Sequence, residues 1–232
     1  MLASNKIDFL IVDTSSQETI IQSFNNIADK LFNDYKLQIN DDFYRLLDIE
    51  FYFFAKGIYE DVHTHKSEMQ LHSGKWYFHK SGIDLTIGNG VYHGGILLRG
   101  IMKFSNNLGT KSEFFEKEIH GPVNIKTEIT SKFYGAFEDK CNLFRLVNIE
   151  KDRQGALMKS PSYIIKSKRI GLTSKDRDIN DDFLNGDFRY QILLDGIKLN
   201  YSNKESLVKS LLKENKMDKV EAKEILGYNV KI

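Results

Sequence analysis

Two acidic residues and a tyrosine alternate with bulky apolar residues at positions 47–52. In a β-strand, alternate residues share a face, so Asp48, Glu50 and Tyr52 point to the same side. A carboxylate in a partly dry site has a raised pKa and can act as a general base. We therefore predict a catalytic carboxylate at Glu50. The alternative is a solvated face on which both acids pair with lysines.

A single arginine interrupts the apolar stretch at positions 94–101. Arginine keeps its proton in proteins, so a buried Arg99 needs a carboxylate or a phosphate as its partner. Glu50 is the expected partner. The pair has two interpretations: a structural ion pair, or a catalytic pair in which Arg99 orients Glu50 and a water molecule.

Five of the six histidines lie close together in the sequence, at His63, His65, His72, His79 and His93. The spacing of His63 and His65 permits metal chelation, with His79 as a third ligand. No motif of the HExxH type accompanies them. We predict no metal and no other cofactor. The histidines then either line a pocket as neutral imidazoles or lie in ordinary loops.

Basic residues collect between Met158 and Lys175, a stretch that contains no acidic residue and in which Tyr163 is interleaved. Phosphate contacts use such cations, and aromatic side chains stack on bases. The predicted nucleic-acid surface consists of Lys80, Lys166, Lys168, Arg169, Lys175 and Arg189. The alternative is a basic face that is simply solvated.

Composition excludes several classes of protein. The 232 residues are 41% hydrophobic, which suffices for a sizeable core, and the net charge of +1 gives no general attraction to polyanions. The single cysteine excludes a disulfide framework and cysteine-based zinc modules. No apolar run approaches the roughly 18 residues of a membrane span. We expect a cytoplasmic monomer without a membrane contact.

The elements that position these residues follow from periodicity. Apolar residues at helical spacing after the capping-box sequence Ser15-x-x-Glu18 predict a helix at 16–34. Runs of β-branched and aromatic residues between glycine turns predict strands at 43–54, 75–78, 83–87, 95–103 and 188–194, with a long loop at 57–74. Residues 7–12 are predicted to form a short strand or a buried extended segment. Further helices are predicted at 112–119, at 204–214 and after Asp218.

Strands in the middle of the chain and helices at its ends indicate an α+β fold rather than alternating βαβ units. We predict one domain at residues 1–200 and a C-terminal helical appendage at 201–232 that packs on the same domain.

The order of the short motifs resembles that of the alkyladenine (methylpurine) DNA glycosylase family over residues 45–194. The motifs that carry the resemblance are Ile49-Glu50-Phe51-Tyr52, Glu60-Asp61-Val62-His63-Thr64-His65, Gly74-Lys75-Trp76-Tyr77-Phe78-His79, Leu97-Leu98-Arg99-Gly100, Arg169-Ile170-Gly171-Leu172 and Gly186-Asp187-Phe188-Arg189-Tyr190. Two departures stand out. Ser81 occupies the position of the family's wedge tyrosine, and Asn89 lies near, but not at, the position of an expected asparagine.

The resemblance implies a curved mixed or antiparallel sheet flanked by helices, similar to the formyltransferase C-terminal domain. It also implies repair of single- or double-stranded DNA without a metal. Glu50 would activate a water to hydrolyse the N-glycosidic bond of an alkylated or deaminated purine, and Arg99 would hold that water. The implied base pocket consists of Tyr52, His63, His65, Tyr77, Phe78 and His79.

Two other functions stay open. One is a nucleic-acid- or nucleotide-binding protein of the same fold without hydrolysis. The other is a histidine-dependent metal enzyme.

Overall fold

A strongly curled antiparallel sheet flanked by helices forms the protein, so the predicted α+β class is confirmed. The computed structural model describes residues 7–106, 113–149, 161–173, 182–194 and 197–230. Within these ranges no helix is long and apolar enough to cross a membrane.

The described ranges contain ten strands, and every pairing between them is antiparallel. Their bounds are β1 Tyr35–Ile39, β2 Asp42–Ala55, β3 Tyr59–Glu60, β4 Ser73–His79, β5 Gly82–Ile87, β6 His93–Asn106, β7 Glu113–His120, β8 Phe144–Asn148, β9 Tyr163–Ser167 and β10 Arg189–Leu193. The main order is β4-β5-β6-β2-β1-β8, while β3 and β10 also pair with β2, β7 pairs with β6, and β9 pairs with β10.

The two long strands β2 and β6 form the centre of the sheet and contain a matched pair of bulges. Leu46 pairs with Ile101, Asp48 with Gly100 and Ile49 with Leu98, so Leu47 and Arg99 are the extra residues. A bulge bends a strand and redirects a side chain. Gly100 permits the close approach at this point, since a Cβ there would lie 2.7 Å from the Cβ of Asp48.

The first helix, α1 Gln17–Asp34, packs its apolar face against β1 and β2. The ring of Phe24 stacks on that of Phe51 with a centroid distance of 4.5 Å. The capping residue is Ser16, whose hydroxyl accepts a hydrogen bond from the Thr19 N–H. The predicted cap at Ser15 is therefore one residue too early.

Two other local predictions are wrong. Residues predicted as a helix at 112–119 form the strand β7, because pairing with β6 from Gly100 to Asn106 outweighs the helical tendency of the sequence. The strand considered for residues 7–12 is absent, because Asp8–Leu10 form a 3₁₀ turn, although Leu10 and Val12 are buried. The helix α2 Pro122–Ser131 was not predicted; Pro122 stands at its first position, where proline is favoured.

The C-terminal helices share the core of the sheet. After the short helix α3 Asp182–Asn185 come α4 Lys204–Lys213 and α5 Lys219–Leu226. The buried side chains of α4 and α5 belong to the same apolar cluster as those of β2 and β6. The predicted capping box at Asp218 is confirmed, and Gly227 ends α5 in a left-handed conformation with φ 84°.

A buried ion pair joins β10 to β2. The Arg189 guanidinium donates from Nη2 to Asp48 Oδ2 at 2.6 Å and from Nε to Asp48 Oδ1 at 2.9 Å. Both residues are almost fully buried. Loss of one partner of such a pair leaves an uncompensated charge in a dry environment.

We expect Asp48→Asn to lower the free energy of unfolding by about 3–5 kcal/mol, because Arg189 then keeps its charge without a counter-ion. Urea unfolding followed by circular dichroism measures the change. The control is Asp34→Asn, which breaks the exposed pair between Asp34 and Lys30 and should cost about 0.5 kcal/mol or less. Equal costs for the two variants would contradict the importance of the buried pair.

Candidate active site

A polar cavity of about 160 Å³ opens beside the central strands. It is bounded by the β4–β5 hairpin, by β6, by the start of α2 and by residues 170–172. The lining side chains are Tyr52, His63, His65, Gln70, His79, Ser81, Asp84, Leu97, Arg99, Pro122, Ile170 and Leu172, together with Gly171. Its size is well below the roughly 300–1,000 Å³ of pockets for drug-sized ligands and suits a single small ring system.

Glu50 lies beneath one wall of this cavity and is fully buried. Its Oε2 accepts hydrogen bonds from the Tyr52 hydroxyl at 2.9 Å and from Arg99 Nη1 at 3.2 Å. Its Oε1 accepts one from the Ile170 N–H at 2.9 Å. All three donors belong to residues that line the cavity, whereas Glu50 itself lies one layer behind them. The expected pairing of Glu50 with Arg99 is therefore present.

Burial is the main influence on the pKa values of Glu50 and Tyr52. Desolvation raises the pKa of Glu50, and the nearby Arg99 charge and the Ile170 N–H oppose that rise only in part. Burial also raises the pKa of Tyr52, so its hydroxyl stays protonated and donates to Glu50. A carboxylate with a raised pKa is a better proton acceptor than an ordinary one.

Arg99 owes its position to the bulge in β6. Its guanidinium is mostly buried, with 14% of the side chain exposed. Arg99 lines the cavity, and among the described residues its Nε is buried without a hydrogen-bond partner. Its backbone carbonyl accepts from the Gly121 N–H, which attaches the start of α2 to the same point.

A second part of the cavity lining consists of His65, His79, Asp84 and Gln70. His79 Nε2 lies 3.0 Å from Asp84 Oδ1, and Gln70 Nε2 donates to Asp84 Oδ2 at 3.0 Å. Gly95 makes room for this contact, because a Cβ there would lie 2.6 Å from Asp84 Oδ2. The ring of Tyr77 stacks on His79 with a centroid distance of 5.0 Å.

The other predicted pocket residues are His63, which precedes β4, and Tyr77 and Phe78 on β4. His63 is buried and lines the cavity, and its backbone N–H bonds to Asp61. Tyr77 stacks on His79 but is outside the cavity lining. Phe78 was expected in the pocket but lies on the other face, where its ring contacts Phe144 edge-on. Strand alternation explains this, because Tyr77 and His79 share a face that Phe78 does not.

Two of the predicted phosphate-binding arginines are buried in ion pairs. Arg169 bonds to Asp61 at 2.6 Å and to the Phe51 carbonyl at 3.0 Å, and its guanidinium lies 4.5 Å from the centre of the Tyr52 ring. Arg189 bonds to Asp48, as described above. Neither guanidinium belongs to an exposed basic surface, and Arg169 instead positions Tyr52 by a cation–π contact.

The predicted lysines are more accessible. Lys80, Lys166 and Lys168 are exposed. Lys80 lies between His79 and Ser81, both of which line the cavity. Lys168 donates to Asn185 Oδ1 at 3.0 Å. Lys175 lies outside the described residues.

Ser81 lines the cavity, but Asn89 does not; its side chain caps a turn by accepting from the Val91 and Tyr92 N–H groups. Sequence reasoning missed Gln70 and Asp84. Asp84 could have been recognised as a candidate site residue from the sequence, since it is the only charged residue in the apolar strand β5. Gln70 could not have been recognised in this way, because its role depends on contact between the 3₁₀ turn at Glu68–Leu71 and β5.

The raised pKa of Glu50 predicts a specific dependence of stability on pH. In the range between the ordinary value of about 4.3 and the raised value, the folded chain binds more protons than the unfolded chain. The contribution of Glu50 to the free energy of unfolding is therefore complete at low pH and falls as the pH rises through the raised pKa.

Urea unfolding of the wild type and of Glu50→Gln across a pH series measures this contribution as the difference between the two. We expect that difference to decrease with rising pH. A difference that grows with pH would show instead that the Arg99 charge outweighs burial.

No model of a known protein family matches the chain. The chain is similar to an uncharacterized protein of Acanthamoeba polyphaga mimivirus, with 24% identity over 204 residues. The match covers 75% of this chain and 88% of the viral protein. Because the description of the viral protein gives no activity, any function assigned to this chain depends on the geometry of the cavity.

Proposed function

We propose that the protein is a DNA repair N-glycosylase that hydrolyses the bond between a damaged purine and its sugar. The observation that supports this proposal is Glu50, a buried carboxylate held by Tyr52, Arg99 and Ile170 directly beneath a cavity of ring size. Cleavage of an N-glycosidic bond develops positive charge on the sugar, which a fixed negative charge in a dry site stabilises.

The proposed step needs a water, a proton acceptor and a leaving base. A water in the cavity, next to Arg99 and Tyr52 in its lining, attacks the anomeric carbon, and the electron pair of the breaking C–N bond leaves with the base. The water proton passes to the Tyr52 oxygen as the Tyr52 proton passes to Glu50, along the existing 2.9 Å hydrogen bond. A purine such as 3-methyladenine is already cationic and departs as a neutral molecule, whereas hypoxanthine and ethenoadenine depart as anions that take a proton from water.

The target base must leave the DNA stack to enter the cavity. His65, His79, Asp84 and Gln70 then offer donors and acceptors to its edge. The exposed Lys80 at the mouth, with Lys166 and Lys168, would contact phosphates. We expect the protein to act as a monomer in the cytoplasm on DNA.

Base release from oligonucleotides that carry 3-methyladenine, hypoxanthine or ethenoadenine tests this proposal, with single-stranded and duplex substrates compared. We expect Glu50→Gln to lower the single-turnover rate of release by at least about 100-fold, because it removes the proton acceptor and the negative charge. Tyr52→Phe should lower that rate by about 100-fold because it interrupts the proton path.

The matched control is Glu68→Gln, which alters an exposed glutamate outside the cavity and should leave the rate unchanged. Release that persists in Glu50→Gln would remove Glu50 from the mechanism. If the wild type releases no base from any of these substrates, the glycosylase proposal is wrong.

A second function is favoured by one feature, the complete burial of Glu50 and its three hydrogen bonds. These satisfy the needs of a structural carboxylate. The protein would then bind a nucleobase in the cavity without hydrolysis. Oligonucleotide binding without release, and equal affinity of Glu50→Gln and the wild type, would support this function.

Phosphate contact by Lys80 predicts a change in salt dependence. Lys80→Gln should weaken oligonucleotide binding to a similar degree for all sequences and reduce the slope of log K against log salt by about 1. Fluorescence anisotropy at several salt concentrations measures the slope. Lys30→Gln, on the outer face of α1, is the control; an equal effect of the two variants would exclude a specific contact at Lys80.

A further inference from the structure

We propose that His65, His79 and Asp84 form a binding site for a divalent transition-metal ion, with zinc as the best match to the ligand types. The three residues lie together in the lining of the cavity. The site does not depend on the proposed glycosylase function.

Charge balance is the first argument. Four carboxylates are buried in the described part of the chain: Asp48, Glu50, Asp61 and Asp84. Three of them are paired with Arg189, Arg99 and Arg169 respectively. Within the described part of the chain, the side-chain partners of Asp84 are His79 and the neutral Gln70. A buried carboxylate needs a compensating cation, and a metal ion would supply it.

Geometry is the second argument. One ligand atom from each of the three residues lies within 4.8 Å of the other two. Two ligands of a tetrahedral zinc ion, each about 2.0–2.1 Å from it, lie about 3.3 Å apart. The separation of 3.0 Å between His79 Nε2 and Asp84 Oδ1 is close to this value. His65, which is exposed, supplies the third ligand atom of the group.

The support around the ligands is the third argument. Gln70 holds the second oxygen of Asp84, and the Tyr77 ring fixes the plane of His79. Such outer contacts orient the ligands of known metal sites.

Three protein ligands leave a fourth position of the ion open toward the cavity, as in catalytic zinc sites. That position would take a water or a basic ring nitrogen. One extension rests on the proposed function: a purine in the cavity carries ring nitrogens of the kind that zinc binds.

Metal binding is measured on the full chain after treatment with a chelator and dialysis, by calorimetric titration with Zn²⁺ and by the visible absorption of bound Co²⁺. We expect one ion per chain and the intense absorption bands of tetrahedral Co²⁺. Asp84→Asn, His79→Gln and His65→Ala should each lower the affinity by at least about 100-fold, since even outer contacts are worth about 10–100-fold. Gln70→Ala, which removes only an outer contact, should lower it by about 10-fold.

The matched control is His72→Ala, which removes an exposed histidine outside the cavity and should bind as the wild type does. Zn²⁺ should also raise the urea midpoint of the wild type but not that of Asp84→Asn, and this second readout shows that the variant folds. Absence of saturable binding by the wild type, or equal binding by Asp84→Asn, would overturn the proposal and leave His79 and Asp84 as a hydrogen-bonded pair. No assay here contains DNA, so failure of the metal site and failure of the glycosylase proposal are separate results.

Discussion

The removal of carboxylates from water is the constraint on which the rest of this structure depends. Asp48, Glu50, Asp61 and Asp84 are all buried around the central strands. A buried carboxylate is tolerated only where cations and hydrogen-bond donors replace the lost water. The chain meets this need with residues from distant segments, and the resulting pairs connect β10 to β2, β6 to β2 and residue 169 to residue 61.

The matched bulges at Leu47 and Arg99 position residues of the candidate site. Without the extra residue in β6, the side chain next to Glu50 would follow the regular alternation of the strand. The bulge places Arg99 against Glu50, and its carbonyl holds the start of α2 at the cavity edge. Gly100 and Gly95 then permit the close contacts of Asp48 and Asp84. Backbone irregularity and small residues thus build the cavity together.

The cavity has two chemically different walls. One presents Tyr52 and Arg99 in front of a buried negative charge, which suits proton transfer and the stabilisation of a developing cation. The other presents imidazoles and a carboxylate, which suit either the edge of a heterocycle or a metal ion. The proposed hydrolysis uses the first wall for catalysis and the second for contacts to the base, whereas the proposed metal site uses the second wall alone.

The sequence by itself determined the features that depend on neighbouring residues. Periodicity predicted α1, the central strands and the cap at Asp218, and alternation along β2 placed Glu50 and Tyr52 on one face. Only the tertiary structure decided the partners. Arg189 and Arg169 look like phosphate ligands in the sequence, yet they bond to Asp48 and Asp61, which lie 141 and 108 positions away. The strand β7 and the contact of Gln70 with Asp84 likewise exist because distant segments meet. The residues next to a charged side chain in the sequence do not indicate which distant residue will neutralise its charge. The role of that side chain is therefore determined only when the chain has folded.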